Sequence, residues 1–178
     1  MLKLYFTILI FFGTLMFPVF DGCPTLDYQR LKQKYSWMCG EIFTATYENS
    51  KRYSVSIDLI CAVIHSESYA PRIRPTVKQM SVARSSANAI GLMQVIRKYH
   101  YKGQESDLYN PALNIKLGTK FLRWCLDFSK GDTRRALVAY NAGPYCKLSR
   151  YNNWKYVNTI MSNVRLSSML GKELNRII

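Results

Sequence analysis

Hydrophobic positions recur at helical intervals along most of the chain. The apolar positions between residues 26 and 47 predict one N-terminal helix. A second apolar face carries Ile60 and Ile64, and Ser56 can cap this helix, which we expect to end near Ser68. The first half of the chain therefore shows a helical rather than a strand period.

Cap and stop residues mark the helices that follow. Asn110, with Pro111 after it, forms an N-cap and opens a helix that we expect to end by Gly131. Its apolar positions at helical spacing are Leu113, Leu117, Phe121, Trp124 and Phe128. Asp132 caps the next helix, and Gly143 stops it.

Two segments depart from this pattern. Residues 71–88 contain two prolines and a polar end, which predicts a long surface loop of the kind that shapes binding clefts. Residues 89–96, AIGLMQVI, are short and apolar, and Gly91 indicates either a close backbone approach or a helix start. A last helix begins near Trp154. No stretch alternates convincingly enough for a strand, so the fold class is all-α or mostly α, in a single domain.

The first residues predict export. An apolar run from Leu4 to Phe20 follows Met1 and Lys3, which fits a signal peptide or a membrane anchor over residues 1–22. Gly22-Cys23 resembles a bacterial lipoprotein processing site, although the residues just before it fit that motif poorly. A lipoprotein at Cys23, an uncleaved anchor and a cleaved secreted form all stay open. Membrane attachment through this segment is favoured, and the expected location is the periplasm or cell envelope.

The net charge of the chain restricts the expected binding partners only in part. A formal net charge of +14 and a pI near 9.7 favour a polyanion: nucleic acid, an anionic membrane surface or an acidic cell-wall polymer. No nucleic-acid motif is present, so we expect no nucleic-acid partner. The five cysteines and two histidines lack metal-ligand spacing, and no phosphate-binding loop occurs. We therefore expect neither a metal nor a cofactor.

One acidic residue has no obvious structural explanation. In the stretch ICAVIHSESYA, Glu67 follows Ile64 by three residues and falls at the edge of a buried helical face. Burial there would raise the pKa of the carboxyl, as a general acid near neutral pH requires. The alternative is a glutamate that points into solvent from the last turn. Scarce histidines and the absence of a G-x-S-x-G motif disfavour nucleophilic schemes, which leaves acid/base chemistry or none.

Three sequence blocks carry a family resemblance. The blocks IHSES at 64–68, AIGLMQ at 89–94 and ALVAYNAG at 136–143 resemble the successive motifs of the soluble lytic transglycosylase family. Tyr156-Val157 is similar to a fourth, weaker motif, and the resemblance covers roughly residues 52–165. Asn88 departs from the family pattern, because it replaces a common glycine before the second motif.

The resemblance implies a fold and a set of site residues. It implies a lysozyme-like catalytic domain in which Glu67 is the catalytic acid and then the base. Ser68 would bind sugar or orient the carboxyl. The residues implied to line the glycan groove or surround the scissile bond are Met93, Gln94, Tyr140, Asn141 and Tyr156.

The resemblance also implies a reaction. The family cleaves peptidoglycan between N-acetylmuramic acid and N-acetylglucosamine without water and leaves 1,6-anhydro ends. Two alternatives stay open: a lysozyme-like muramidase that hydrolyses the same bond, and a non-catalytic component that binds the cell wall or assembles with envelope machinery. The expected organisation is a signal peptide or anchor at 1–22, a helical extension at 23–50, the catalytic domain at 51–165 and a helical tail at 166–178.

Overall fold

Helices make up most of the described chain, as the hydrophobic pattern predicts. The computed structural model describes residues 26–38, 40–69 and 76–177. The predictions for the segment 1–22 and for Cys23 lie outside these residues. Within the described ranges, no helix combines the length and the apolar character needed to cross a membrane.

The elements follow one another in a simple order. They are α1 (Leu26–Lys34), α2 (Gly40–Tyr53), α3 (Ile57–Ile64), a π-helical turn (His65–Tyr69), α4 (Val77–Ser81), β1 (Ala89–Ile90), β2 (Val95–Ile96), α5 (Arg97–His100), a 3₁₀ turn (Glu105–Tyr109), α6 (Pro111–Phe128), α7 (Thr133–Ala142) and α8 (Tyr151–Ile177). Helix α6 packs against α2 and α7, and α8 packs against α3 and α7.

The single N-terminal helix predicted for residues 26–47 is wrong, because two helices occupy this region. The chain turns after α1, where the Met38 N–H donates to the Tyr35 carbonyl over 2.9 Å. Both side chains are nevertheless buried, at 3% exposure for Tyr35 and 6% for Met38. The apolar period therefore continues across the break and hides it.

The predicted helix caps are largely confirmed. Asn110 accepts the Leu113 N–H over 3.0 Å at the start of α6. Asp132 accepts two backbone N–H groups in the first turn of α7, and Gly143 ends that helix at φ +93°. Ser56 occupies the N-cap position of α3 but forms no side-chain cap bond there.

A short hairpin stands where no strand was predicted. Ala89 pairs with Ile96 and Ile90 with Val95 in antiparallel register. Gly91 begins the turn at φ +78°, and a Cβ there would lie 2.4 Å from the side-chain nitrogen of Asn114. The close backbone approach is therefore confirmed, and strands of two residues are too short to leave an alternating sequence pattern.

Gly118 in α6 lets the hairpin turn approach the core. A Cβ at this position would lie 2.5 Å from the Cβ of Met93. The side chain of Met93 is fully buried there, at 0% exposure. The hairpin can sit this close to α6 only because residue 118 has no side chain.

We expect Gly118→Ala to lower the free energy of unfolding by about 1–3 kcal/mol, because the added methyl overpacks the contact with Met93. Gly40→Ala is the control, since nothing lies within 4 Å of its Cβ position, and it should change the free energy by less than about 0.5 kcal/mol. Urea denaturation measures both. Equal stability of the two variants would contradict the close contact.

Candidate active site

Glu67 lies on a widened helical turn. Helix α3 is buried from Leu59 to its end, with Ile60, Val63 and Ile64 at 0% exposure. At His65 the helix passes into the π-helical turn that carries Glu67. Such turns are rare and occur often at functional sites. Here the turn leaves the carboxyl half-buried at the end of an apolar helix.

A tyrosine from the last helix holds this carboxyl. The Tyr156 hydroxyl donates to Glu67 Oε1 over 2.6 Å. Burial raises the pKa of Glu67, and the hydrogen bond from Tyr156 opposes that rise. Burial and the negative charge of Glu67 both raise the pKa of Tyr156, which therefore stays protonated and remains a donor. The sequence expectation of a carboxyl with a raised pKa agrees with this environment.

A second tyrosine closes the site from α7. The Tyr140 hydroxyl donates to the Met93 carbonyl over 2.7 Å. Burial raises its pKa, and the charge of Glu67 contributes in the same direction. Since Tyr140 also raises the pKa of Tyr156, the structure brings Glu67, Tyr140 and Tyr156 together from the π-helical turn, α7 and α8.

The second motif contributes backbone rather than side chain at Met93. The Met93 side chain is buried and accepts a hydrogen bond from the Thr119 hydroxyl, with the oxygen 3.7 Å from the sulfur. Gln94 is half-buried at φ +49°, and its amide nitrogen donates to the Gly91 carbonyl over 2.9 Å. In this conformation both side chains stabilise the hairpin turn.

Ser68 and Asn141 differ in their exposure to solvent. Ser68 is at 0% exposure, and its hydroxyl donates to the Ile64 carbonyl over 3.1 Å. Its position therefore fits the orienting role better than direct contact with sugar. Asn141 is exposed at the end of α7, where its amide nitrogen lies 3.4 Å from the Asn153 side-chain oxygen.

Asn114 supports the site, although no sequence motif marks it. Asn114 is 1% exposed; its oxygen accepts the Met93 N–H over 2.9 Å. Its amide nitrogen donates to the Ile90 and Leu108 carbonyls over 2.8 and 3.0 Å. The available signal was an amide on the first buried turns of an apolar helix, where polar groups need partners.

Asn88 fills a position that suits glycine. It adopts φ +60°, in the left-handed region that asparagine tolerates better than most residues. Its side-chain oxygen accepts from the Arg84 guanidinium over 3.0 Å. The departure from the family pattern at this position therefore keeps the required backbone conformation.

His65 contacts two aromatic side chains beside the π-helical turn. Its ring lies 5.8 Å from the Trp37 ring and 5.1 Å from the Tyr69 ring, measured between centroids. Burial lowers its pKa, which favours the neutral imidazole. These contacts give His65 a packing role beside the π-helical turn.

This arrangement is suited to chemistry with one carboxyl. The pKa of Glu67 is shifted by burial and by Tyr156, and no other carboxyl of the described residues contributes. Glycosidases that use two carboxyls need the second as nucleophile or as base for water. A lone acid with a raised pKa can donate its proton to a leaving oxygen and then take one back.

Comparisons with known proteins point to one family. The sequence profile described as "Transglycosylase SLT domain" matches residues 45–160. The chain is 33% identical over 147 residues to membrane-bound lytic murein transglycosylase C of Glaesserella parasuis serovar 5 (strain SH0165). That match covers 72% of this chain, and the chain spans 37% of the length of that relative.

A solved structure shows the same fold. The X-ray structure of an inactive mutant of lytic transglycosylase Slt from Pseudomonas aeruginosa aligns with a TM-score of 0.59 at 23% identity. The alignment covers 74% of this chain and 24% of that one. This likeness confirms the helical, lysozyme-like fold expected from the sequence.

The raised pKa of Glu67 makes stability depend on pH with a definite sign. The folded chain holds the Glu67 proton more tightly than the unfolded chain, in which the pKa is near its ordinary value of 4.5. The protonated acid therefore contributes stability that is complete below this value and is lost as pH rises through the folded pKa. We expect Glu67→Gln to match wild type at low pH and to become more stable than wild type, on the order of 1 kcal/mol, above the folded pKa.

Thermal unfolding of wild type and Glu67→Gln across pH 4–8 measures this difference. Tyr156→Phe serves as a further variant, because loss of the hydroxyl that favours the ionised carboxyl moves the same transition to higher pH. A wild type that gains stability relative to Glu67→Gln as pH rises would contradict the assigned direction.

Proposed function

This chain belongs to the family of transglycosylase SLT domains, and from that premise we propose that it is a peptidoglycan lytic transglycosylase. It cleaves the glycosidic bond between N-acetylmuramic acid and N-acetylglucosamine without water and leaves 1,6-anhydro-N-acetylmuramic acid ends. The observation that carries the proposal is the half-buried Glu67 carboxyl, with its raised pKa and its bond to the Tyr156 hydroxyl.

In the first step Glu67 acts as the acid. Its proton passes to the glycosidic oxygen, the bond from that oxygen to C1 breaks, and positive charge develops at C1 of the muramic acid ring. Burial supports this step, because it keeps the carboxyl protonated at a higher pH than an exposed glutamate. The departing N-acetylglucosamine carries away the transferred proton as a hydroxyl.

In the second step the same carboxyl acts as the base. Glu67 takes the proton of the 6-hydroxyl of the muramic acid, and that oxygen bonds to C1 to close the anhydro ring. The hydrogen bond from Tyr156 stabilises the ionised carboxylate between the two steps. The acid is thus regenerated, no water is consumed, and the reaction is a lysis.

The remaining site residues support these steps. We assign Ser68 to orientation of the turn that carries Glu67, because its hydroxyl is closed to solvent. Met93 acts through its carbonyl on Tyr140, and Gln94 holds the hairpin turn. We assign Asn141, which is exposed and follows Tyr140 in sequence, to contact with sugar.

The proposal includes an envelope location. Peptidoglycan is the partner, and the membrane is reached through the N-terminal segment. The relative from Glaesserella parasuis is itself named membrane-bound. The apolar run before Cys23 supports the same assignment for this chain.

We expect wild-type enzyme to release anhydro-muropeptides from isolated sacculi, detected by mass spectrometry. Glu67→Gln should lower the rate by about 10²–10⁴-fold, because general acid catalysis contributes on this scale. Glu48→Gln is the matched control on the exposed surface of α2 and should keep full activity.

Two results would overturn parts of this proposal. Products with reducing muramic acid ends and no anhydro form would identify a muramidase. Full activity in Glu67→Gln would show that another residue is the acid.

A further inference from the structure

A row of aromatic side chains leads away from the candidate active site. Phe121 lies 5.2 Å from Tyr140, measured between ring centroids. Successive rings follow at 5.7 Å to Trp124, 5.3 Å to Phe128 and 6.1 Å to Tyr145. We refer to Phe121, Trp124, Phe128 and Tyr145 as the aromatic band.

Much of the aromatic band is open to solvent. Trp124 is 46% exposed, Phe128 42% and Tyr145 90%. The apolar period of α6 places the first three rings on one face, whereas Leu122 and Cys125 are at 0% exposure on the buried side. Connected exposed apolar surface of this kind marks a binding site more often than ordinary surface does.

Cavities with basic side chains lie at both ends of the band. A cavity of about 370 Å³ includes Lys120 beside Phe121 and Trp124. A second, of about 580 Å³, includes Arg135 and Lys147. Its one acidic residue, Asp132, has its carboxylate on the backbone N–H groups of α7. The aromatic band is therefore an exposed aromatic surface with basic side chains at both of its ends.

We propose that the aromatic band is an extended binding surface for a glycan strand of peptidoglycan, which it holds beyond the bond being cleaved. Flat aromatic rings stack on the C–H faces of sugar rings. Lysine and arginine at the ends attract the carboxylates of the peptide stems. This inference rests on the proposed function for its substrate class.

Contact between Phe121 and Tyr140 favours a glycan over a protein partner. A strand bound across Tyr140 continues directly onto Phe121 and Trp124, so one ligand occupies both surfaces. A protein partner would not need a binding surface that is continuous with the site around Glu67. The basic ends likewise match an anionic polymer, and the net charge of +14 adds to that attraction.

The test measures binding of the full chain to isolated sacculi by co-sedimentation. Glu67→Gln is the parent in all samples, so that turnover does not consume the ligand. The band variant adds Trp124→Leu and Phe128→Leu, which keep apolar packing against the helix but remove the flat rings. The control adds Trp154→Leu instead, at a residue 54% exposed on α8 and about 200° around that helix from Tyr156.

We expect the band variant to bind sacculi about tenfold more weakly than the parent, as loss of two stacking rings predicts. The control should bind like the parent, and all three should unfold at similar temperatures. Parent-like binding by the band variant would overturn the proposal, as would an equal loss in the control.

The outcome is separable from that of the proposed function. If wild type releases anhydro products and the band variant binds like the parent, the proposal for the aromatic band is wrong and the proposed enzymatic function still holds. If binding to sacculi depends on the aromatic band but wild type releases no product, the band proposal holds and the catalytic proposal is wrong.

Discussion

The structure depends on placing one ionisable carboxyl at the end of a buried helix. The apolar end of α3 stabilises the negative charge of an ionised Glu67 less well than water would. The single hydroxyl of Tyr156 offsets part of that loss. Helix α8 must therefore pack against α3 in a fixed register, since a displaced helix would leave the carboxyl without its donor. Burial raises the pKa of Glu67 and the hydrogen bond from Tyr156 lowers it, so the two effects oppose each other at one carboxyl.

A second, indirect support holds the opposite side of the site. Asn114 donates to the Ile90 carbonyl at the start of the hairpin turn and accepts the Met93 N–H within it, and the Met93 carbonyl accepts from Tyr140. Gly118 makes room for the Met93 side chain beneath the turn. The position of Tyr140 is thus set by buried contacts that never reach the surface. Substrate groups would meet a preformed wall rather than one that must be ordered on binding.

Local signals were sufficient for much of this fold. Asn110 and Asp132 cap helices through bonds to N–H groups two or three residues away, so the sequence alone reveals them. Glu67 could be recognised in the same way, because the apolar residues of α3 that precede it are its neighbours in sequence. Tyr140 and Tyr156 were predicted only from the family resemblance, since nothing in α7 or α8 alone indicates that they lie near Glu67.

Features that depend on distant contacts could not be predicted in this way. The inward side chain of Met93 follows from the missing side chain at Gly118, and no local pattern records that contact. The break after α1 is hidden because Tyr35 and Met38 are both buried. Trp124 continued the apolar stripe of α6, but whether a stripe is covered depends on which helices pack over it.

The pKa of the Glu67 side chain can be measured in the folded chain by titration. Carbon-13 labelling of glutamate, with Glu67→Gln to assign the signal, allows NMR to follow ionisation of this one carboxyl in the folded chain. We expect a midpoint above the ordinary value of 4.5, and a still higher midpoint in Tyr156→Phe. A wild-type midpoint at or below 4.5 would contradict a buried acid held ready to donate its proton.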